Sequence, residues 1–261
     1  MPTSIIDEIR QSQGHATRIR DLLNGRVNFE SREALFRTPV TLFLFSNRSG
    51  SNLLAEHLLA SGKFAGMQEY LNFESVEAAS KINKISSFPE YLCAIAKNNI
   101  NDKIFGTKCS LDQLIMLLRW NILSMFSGAK IINIERHDVV SQAVSMSIAS
   151  QTKSWSNEIT STVVPTYNFD EISHYFTHFS GDVIKRRAVI DLLGFDAITF
   201  EYEQVVSEPL HVVSECCRLF GITAPDAIPE KTRLKKQGGE LNRQFSERFR
   251  QEARERLLSG A

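Results

Sequence analysis

A short apolar run from Val40 to Phe45 passes at once into a small polar turn with one arginine, Ser46-Asn47-Arg48-Ser49-Gly50. A helix-like pattern opens behind it at Ser51 or Asn52 and continues as LLAE. Strand, tight turn and helix in that order form an anion cradle. The N–H groups of the turn and of the helix's first turn converge on one point, where a single oxyanion can satisfy several of them. Gly50 lacks a Cβ, so the backbone can approach a ligand closely. Ser46, Ser49, Ser51 and Asn52 add short side-chain donors, and Arg48 adds a forked positive charge. The segment reads as a phosphate- or sulfate-binding turn. An ordinary strand-to-helix connection capped by Ser51 is the plain alternative.

The turn departs from two better-known patterns. The ATP-binding loop needs two glycines five apart followed by Lys-Ser/Thr, whereas here one glycine precedes Ser51-Asn52. No G-x-G-x-x-G occurs in the chain, which argues against a dinucleotide fold.

The 261 residues suit one large domain, or one domain with an appendage. Thirty basic and thirty acidic side chains cancel, so no global field draws the chain to nucleic acid or an anionic membrane. Cys93, Cys109, Cys216 and Cys217 have no metal-ligand spacing and are expected to be reduced thiols of a cytoplasmic protein. Asp7 and Glu8 stand where a signal peptide would need an apolar segment. The most apolar long window, Leu111 to Phe126, contains Asp112 and Arg119 and is too short to span a bilayer.

Ile5 to Leu23 spaces its apolar residues as a helix and ends at Asn24-Gly25, so residues 1–38 are expected to form an N-terminal helical extension. Residues 39–261 then form the main domain. Within it, Val40–Phe45, Ile104–Thr107, Lys130–Glu135 and Ala197–Phe200 read as strands. Leu53–Ala60, Leu111–Phe126, Val139–Ser150, about Ser207–Phe220 and a last segment from about Asn242 read as helices. Strands alternating with long helices imply an α/β domain whose mostly parallel central sheet is flanked by helices, with ligands bound beyond the carboxyl ends of the strands.

A second constellation follows the strand at Lys130–Glu135. Residues 134–145 read IERHDVVSQAVS. Arg136 lies just past the strand, Asp138 can cap the next helix, and Gln142 and Ser145 share a helix face. An arginine at the strand end and a hydroxyl on the next helix can hold a second anion. A surface Arg136–Asp138 pair is the alternative.

Together the two stretches resemble the sulfotransferases that use 3′-phosphoadenosine-5′-phosphosulfate (PAPS), and within them the bacterial trehalose 2-sulfotransferase (Stf0-type) family. Further matches are Gln68-Glu69-Tyr70, Phe105-Gly106-Thr107-Lys108, VVSQAVSMSIASQTKSW over residues 139–155, Tyr202-Glu203, and Gln237 to Arg248. The resemblance runs from about Val40 to Glu252, and the SQAVS…QT…W run is its most specific part. It implies a P-loop-NTPase-like sulfotransferase fold. It also implies that Asn47, Arg48, Ser49, Gly50, Ser51 and Asn52 bind the 5′-phosphosulfate, with Asn52 where the family usually has Thr. Arg136 and Ser145 would bind the 3′-phosphate. Lys236, Gln237 and Asn242 would belong to a late loop closing over the nucleotide, with Lys236 where the family has Arg. Glu69 would be the catalytic base, with Arg48 neutralising the departing phosphate.

The resemblance further implies a homodimer and a hydroxyl acceptor on a carbohydrate or glycolipid, with no metal and no integral membrane segment. His57 is a weaker rival base or a packed core histidine, Lys108 a group that steadies the bridging oxygen or merely lies at a strand end, and Trp155 a stacking platform or a core residue. His174 and His178 lack a third ligand and read as a surface pair. Loops around Phe73 to Tyr91 and Thr152 to Tyr167 are expected to build the acceptor site. Two other classes compete: a P-loop-like kinase or phosphohydrolase, and a nucleotide-binding module without turnover.

Overall fold

The computed structural model describes residues 4–11, 14–154, 163–229 and 239–259. In chain order its helices and strands are α1 (Ile5–Gln11), α2 (Gly14–Leu22), β1 (Val40–Leu44), α3 (Ser51–Ala60), β2 (Phe64–Gln68), α4 (Phe73–Asn83), α5 (Phe88–Asn99), β3 (Ile104–Cys109) and α6 (Leu111–Arg119). A 3-10 turn, Ile122–Met125, leads to β4 (Ala129–Glu135). Then come α7 (Val139–Thr152), α8 (Phe169–Leu193), β5 (Asp196–Glu201), α9 (Tyr202–Ser207), α10 (Pro209–Leu219) and α11 (Glu240–Leu258).

The five strands form one parallel sheet in the order β2-β3-β1-β4-β5. Leu42 of β1 stands level with Thr107 on one side and Ile131 on the other. Every residue of β1 is buried, as a central strand with both faces covered requires. Alternation along β1 sends Val40, Leu42 and Leu44 into one core and Phe43 into a second core on the opposite face. The first core takes in α5 and α6, and the second takes in α3 and α10. Ile9, Ile19, Leu23, Val27 and Phe29, all ahead of the sheet, are buried in the first core.

This order places a switch at β1. The chain leaves β1 toward β2 and β3, then returns past β1 to β4 and β5. The connections after β1 and β4 therefore diverge, and a crevice opens between them at the carboxyl edge of the sheet.

Several segments differ from the sequence expectation. Ile5 to Leu23 is helical over Ile5–Gln11 and Gly14–Leu22, with residues 12–13 outside the described residues. The helix expected through Phe126 stops at Arg119, because Asn121 adopts a left-handed φ of 54° before the 3-10 turn. Pro209 separates α9 from α10, since proline cannot continue the preceding helix. Phe73 to Tyr91, expected as an acceptor loop, contains α4 and the start of α5.

Candidate active site

The turn after β1 closes through a hydrogen bond from Ser49 N–H to the Ser46 carbonyl at 3.2 Å. Arg48 has φ 63° and Gly50 has φ 89°, so two left-handed residues fold the chain back on itself. Arg48 holds that strained conformation because its neighbours over-determine it. Gln142 Nε2, buried on α7, donates to Ser46 Oγ at 3.0 Å and to the Asn47 carbonyl at 2.8 Å. Arg136 Nη1 donates to the Arg48 carbonyl at 3.2 Å. Arg48 Nε donates to Ser145 Oγ at 2.9 Å. The turn of β1 and the first turns of α7 are thus one rigid body.

Gly50 is the N-cap residue of α3 and leaves the first-turn N–H groups without a side-chain cap. Leu53 N–H bonds the Gly50 carbonyl at 3.0 Å, and the N–H groups ahead of it have no intrahelical acceptors and attract an anion. Gly50 is fixed for a second reason: a Cβ there would lie 2.2 Å from Tyr202 Cδ2. Tyr202 in turn lies under Arg136, whose guanidinium carbon is 5.0 Å from the ring centroid. The beginnings of α3, α7 and α9 therefore meet around one point.

The electrostatics suit an anion. Burial lowers the Arg48 guanidinium from its ordinary value, and the nearby positive charge of Arg136 lowers it further. Two cations held this close repel, and a dianion between them turns that repulsion into attraction. The buried Ser49 Oγ and Arg136 Nε have no hydrogen-bond partner. Buried donors without partners carry a free-energy cost that a ligand can remove.

On the other side of α3, Lys108 projects from the end of β3 with its side chain only 5 % exposed, and Nζ lies 3.5 Å from Glu69 Oε1. Lys108 Nζ also donates to Asn52 Oδ1. Burial lowers the Lys108 ammonium, an effect that Glu69 partly offsets. Glu69 remains 44 % exposed, open to solvent and to an incoming molecule.

The structure therefore brings together Arg48, Ser49, Gly50, Ser51, Asn52, Arg136 and Ser145, and ties Glu69 to them through Lys108. Asn47 is exposed, and its carbonyl serves the turn itself. Asn242 lies in the first turn of α11. That helix runs antiparallel to α7, with Arg250 Nη2 on Asp138 Oδ1 at 2.7 Å and Ser246 Oγ 3.4 Å from Ser141 Oγ, which brings Asn242 toward the level of Ser145. Lys236, Gln237 and Trp155 lie outside the described residues. His57 is buried, with burial as the main cause of its lowered pKa, and fits a core histidine better than a base. The described residues contain no group of three or more metal-ligating side chains.

Sequence reasoning placed Gln142 on a face with Ser145 but missed its role as the clamp on the turn, and overlooked Asn72 and Gln113 behind Glu69. Gln113 had a legible signal, the Ser110-x-x-Gln113 capping box that opens α6.

Residues 41–252 match the family model described as Stf0 sulphotransferase. The chain belongs to the Stf0 sulphotransferase family. Among solved structures, the sulfotransferase domain from the curacin biosynthetic pathway is 15 % identical with a TM-score of 0.53, the match covering 79 % of this chain and 82 % of that one. The sulfotransferase domain from the Synechococcus PCC 7002 olefin synthase is also 15 % identical, with a TM-score of 0.54 and coverage of 85 % and 98 %. At that identity the likeness establishes the fold, an α/β sulfotransferase architecture with a parallel sheet. No curated protein matches the sequence significantly. Family and fold together support sulfuryl transfer. No described helix is long and apolar enough to cross a membrane.

Proposed function

We propose that this Stf0 sulphotransferase moves a sulfuryl group from PAPS to a hydroxyl of a carbohydrate or glycolipid, in line and without a metal ion. One observation carries the reading. Arg48 and Arg136 meet behind a single turn, beside the open N-terminus of α3, with Ser49 Oγ and Arg136 Nε buried and unpartnered. A nucleotide with phosphate groups at both ends of its ribose supplies the negative charge and acceptor oxygens that this arrangement lacks.

In this reading the N–H groups of Gly50, Ser51 and Asn52, with Ser49 and Arg48, hold the 5′-phosphosulfate. Arg136 and Ser145 hold the 3′-phosphate, and Asn242, with Lys236 and Gln237, closes over the nucleotide. PAPS contributes an activated S–O bond to phosphate. The cradle fixes the donor in position and neutralises charge growing on the leaving phosphate. Lys108, beside Glu69 and Asn52, steadies the bridging oxygen in this reading. Glu69 takes the proton of the acceptor hydroxyl as the new O–S bond forms and the S–O bond to phosphate breaks, an assistance typically worth ~10²–10⁴ in rate.

The test has two stages. Thermal shift against 3′,5′-ADP, 5′-AMP and ATP with Mg²⁺ separates the classes: stabilisation by 3′,5′-ADP without metal supports PAPS use, and a response confined to ATP with Mg²⁺ favours a kinase or phosphohydrolase. Transfer of label from [³⁵S]PAPS to a panel of sugars, trehalose among them, then reads the acceptor. Binding of 3′,5′-ADP without label transfer to sugars or water would indicate a module without turnover.

A further inference from the structure

We propose that Asn72 and Gln113 are positioning residues for Glu69. They form a directed hydrogen-bond chain that ends on one carboxylate oxygen and so fixes the orientation of the Glu69 carboxylate. The inference rests on the reading of Glu69 as the base.

The chain starts from a main-chain group whose polarity is fixed. Ser110 N–H, at the N-cap of α6, donates to Gln113 Oε1 at 2.9 Å. A backbone N–H can only donate, so the Gln113 amide must turn its Nε2 the other way. Nε2 donates to Asn72 Oδ1 at 2.7 Å. That orients the Asn72 amide in turn, and its Nδ2 donates to Glu69 Oε2 at 2.9 Å. Each orientation follows from the one before it, and Glu69 Oε2 is left with the role of acceptor. The Glu69 carboxylate is thereby held in one orientation, with Oε2 on Asn72 and Oε1 beside Lys108. Lys108 continues the row to Asn52 in the first turn of α3, so the base and the cradle share one connected set of side chains.

The placement of Asn72 sets it apart from an ordinary cap. It is the N-cap residue of α4, with φ −71° and ψ 143°, the conformation in which an asparagine side chain accepts from the first turn of its own helix. It makes no such bond. Its oxygen is taken by Gln113, and Phe73 N–H donates instead to His15 Nδ1 at 3.1 Å, from the N-terminal segment. Gln113 is 3 % exposed, which shields its own two bonds from competing water, while the last bond, to Glu69, lies at the surface.

The test measures 3′,5′-ADP release from [³⁵S]PAPS, with the best sugar acceptor or with water, alongside calorimetric affinity for 3′,5′-ADP. The variants are Asn72→Ala, Gln113→Glu, Glu69→Gln, and each of the first two combined with the third. Gln113→Glu keeps an oxygen for Ser110 N–H, removes the donor to Asn72 and adds a buried charge, so its urea stability is measured alongside. Asn72→Ala and Gln113→Glu are each expected to lower kcat roughly 10–100-fold, with 3′,5′-ADP affinity within about twofold of wild type. In the Glu69→Gln background neither should lower kcat further, because the group being positioned is gone. A structural role would instead give losses that multiply in the double variants, or affinity losses matching the kcat losses, and either result overturns the proposal. So would wild-type kcat in Asn72→Ala. Should Gln113→Glu fold poorly, Asn72→Ala and its double variant decide the matter alone. A Glu69→Gln enzyme with wild-type turnover would reject Glu69 as the base, whereas a slow Glu69→Gln with a normal Asn72→Ala rejects only the positioning chain.

Discussion

Arg136 Nη1 donates to the main-chain carbonyl of Arg48 at 3.2 Å, so the arginine after β4 holds the backbone of the arginine after β1. Arg48 Nε reciprocates on the α7 side by donating to Ser145 Oγ at 2.9 Å. The two strand ends are pinned to each other across the switch of the sheet, and both guanidinium groups face the same crevice. Arg136→Ala is expected to weaken 3′,5′-ADP by roughly 10–100-fold, the usual scale for losing a charge-assisted contact to phosphate. Affinity for 5′-AMP should fall much less. Calorimetry on both ligands checks this, and equal losses would remove Arg136 from the 3′-phosphate.

Gly50 answers to two constraints at once, a left-handed φ of 89° and the ring of Tyr202. Gly50→Ala should lose about 1–3 kcal/mol of stability from backbone strain alone, with the contact against Tyr202 adding to it. Pairing it with Tyr202→Ala relieves the contact and leaves the strain, so stability should return only in part. Urea denaturation of the two variants measures this, and a Gly50→Ala protein as stable as wild type would contradict the geometry of the turn.

Glu69→Gln should slow sulfuryl transfer by ~10²–10⁴ while 3′,5′-ADP affinity stays near wild type, since the side chain serves the acceptor proton and not the nucleotide. Steady-state rates with [³⁵S]PAPS and calorimetry on the same preparation separate the two effects.

Lys108 carries a pH prediction. Burial favours its neutral form, and Glu69 only partly counters that, so the ammonium loses its proton at lower pH than an ordinary lysine. If the charged form steadies the bridging oxygen, kcat should fall on the alkaline side, with its midpoint below the ordinary lysine range. Lys108→Arg keeps a charge through that range and should move the alkaline limb upward. An alkaline limb that stays in place in Lys108→Arg would assign it to another group.

The sheet was legible wherever a strand is a continuous apolar run, as in Val40–Leu44 and in Ile131, Ile132 and Ile134 of β4. Phe64–Gln68 was not, because Gly66 and Gln68 interrupt its short pattern and Met67 takes a left-handed φ of 53°. The turn after β1 was legible because its strand end, glycine and helix start lie within a few consecutive residues. Its pairing with Arg136 came from the family resemblance, since a contact 88 residues apart leaves no local periodicity. The roles of Gln142, Asn72 and Gln113 were hidden for a related reason: single amides become informative only when the fold fixes which end donates.

Direct titration of 3′,5′-ADP by calorimetry, in EDTA and with wild type beside Arg48→Ala, tests the central claim most closely. The two-arginine cradle predicts one-to-one binding that is unchanged by removing divalent metal and is weakened at least about tenfold in Arg48→Ala. Binding that requires Mg²⁺, or that Arg48→Ala leaves intact, would contradict it.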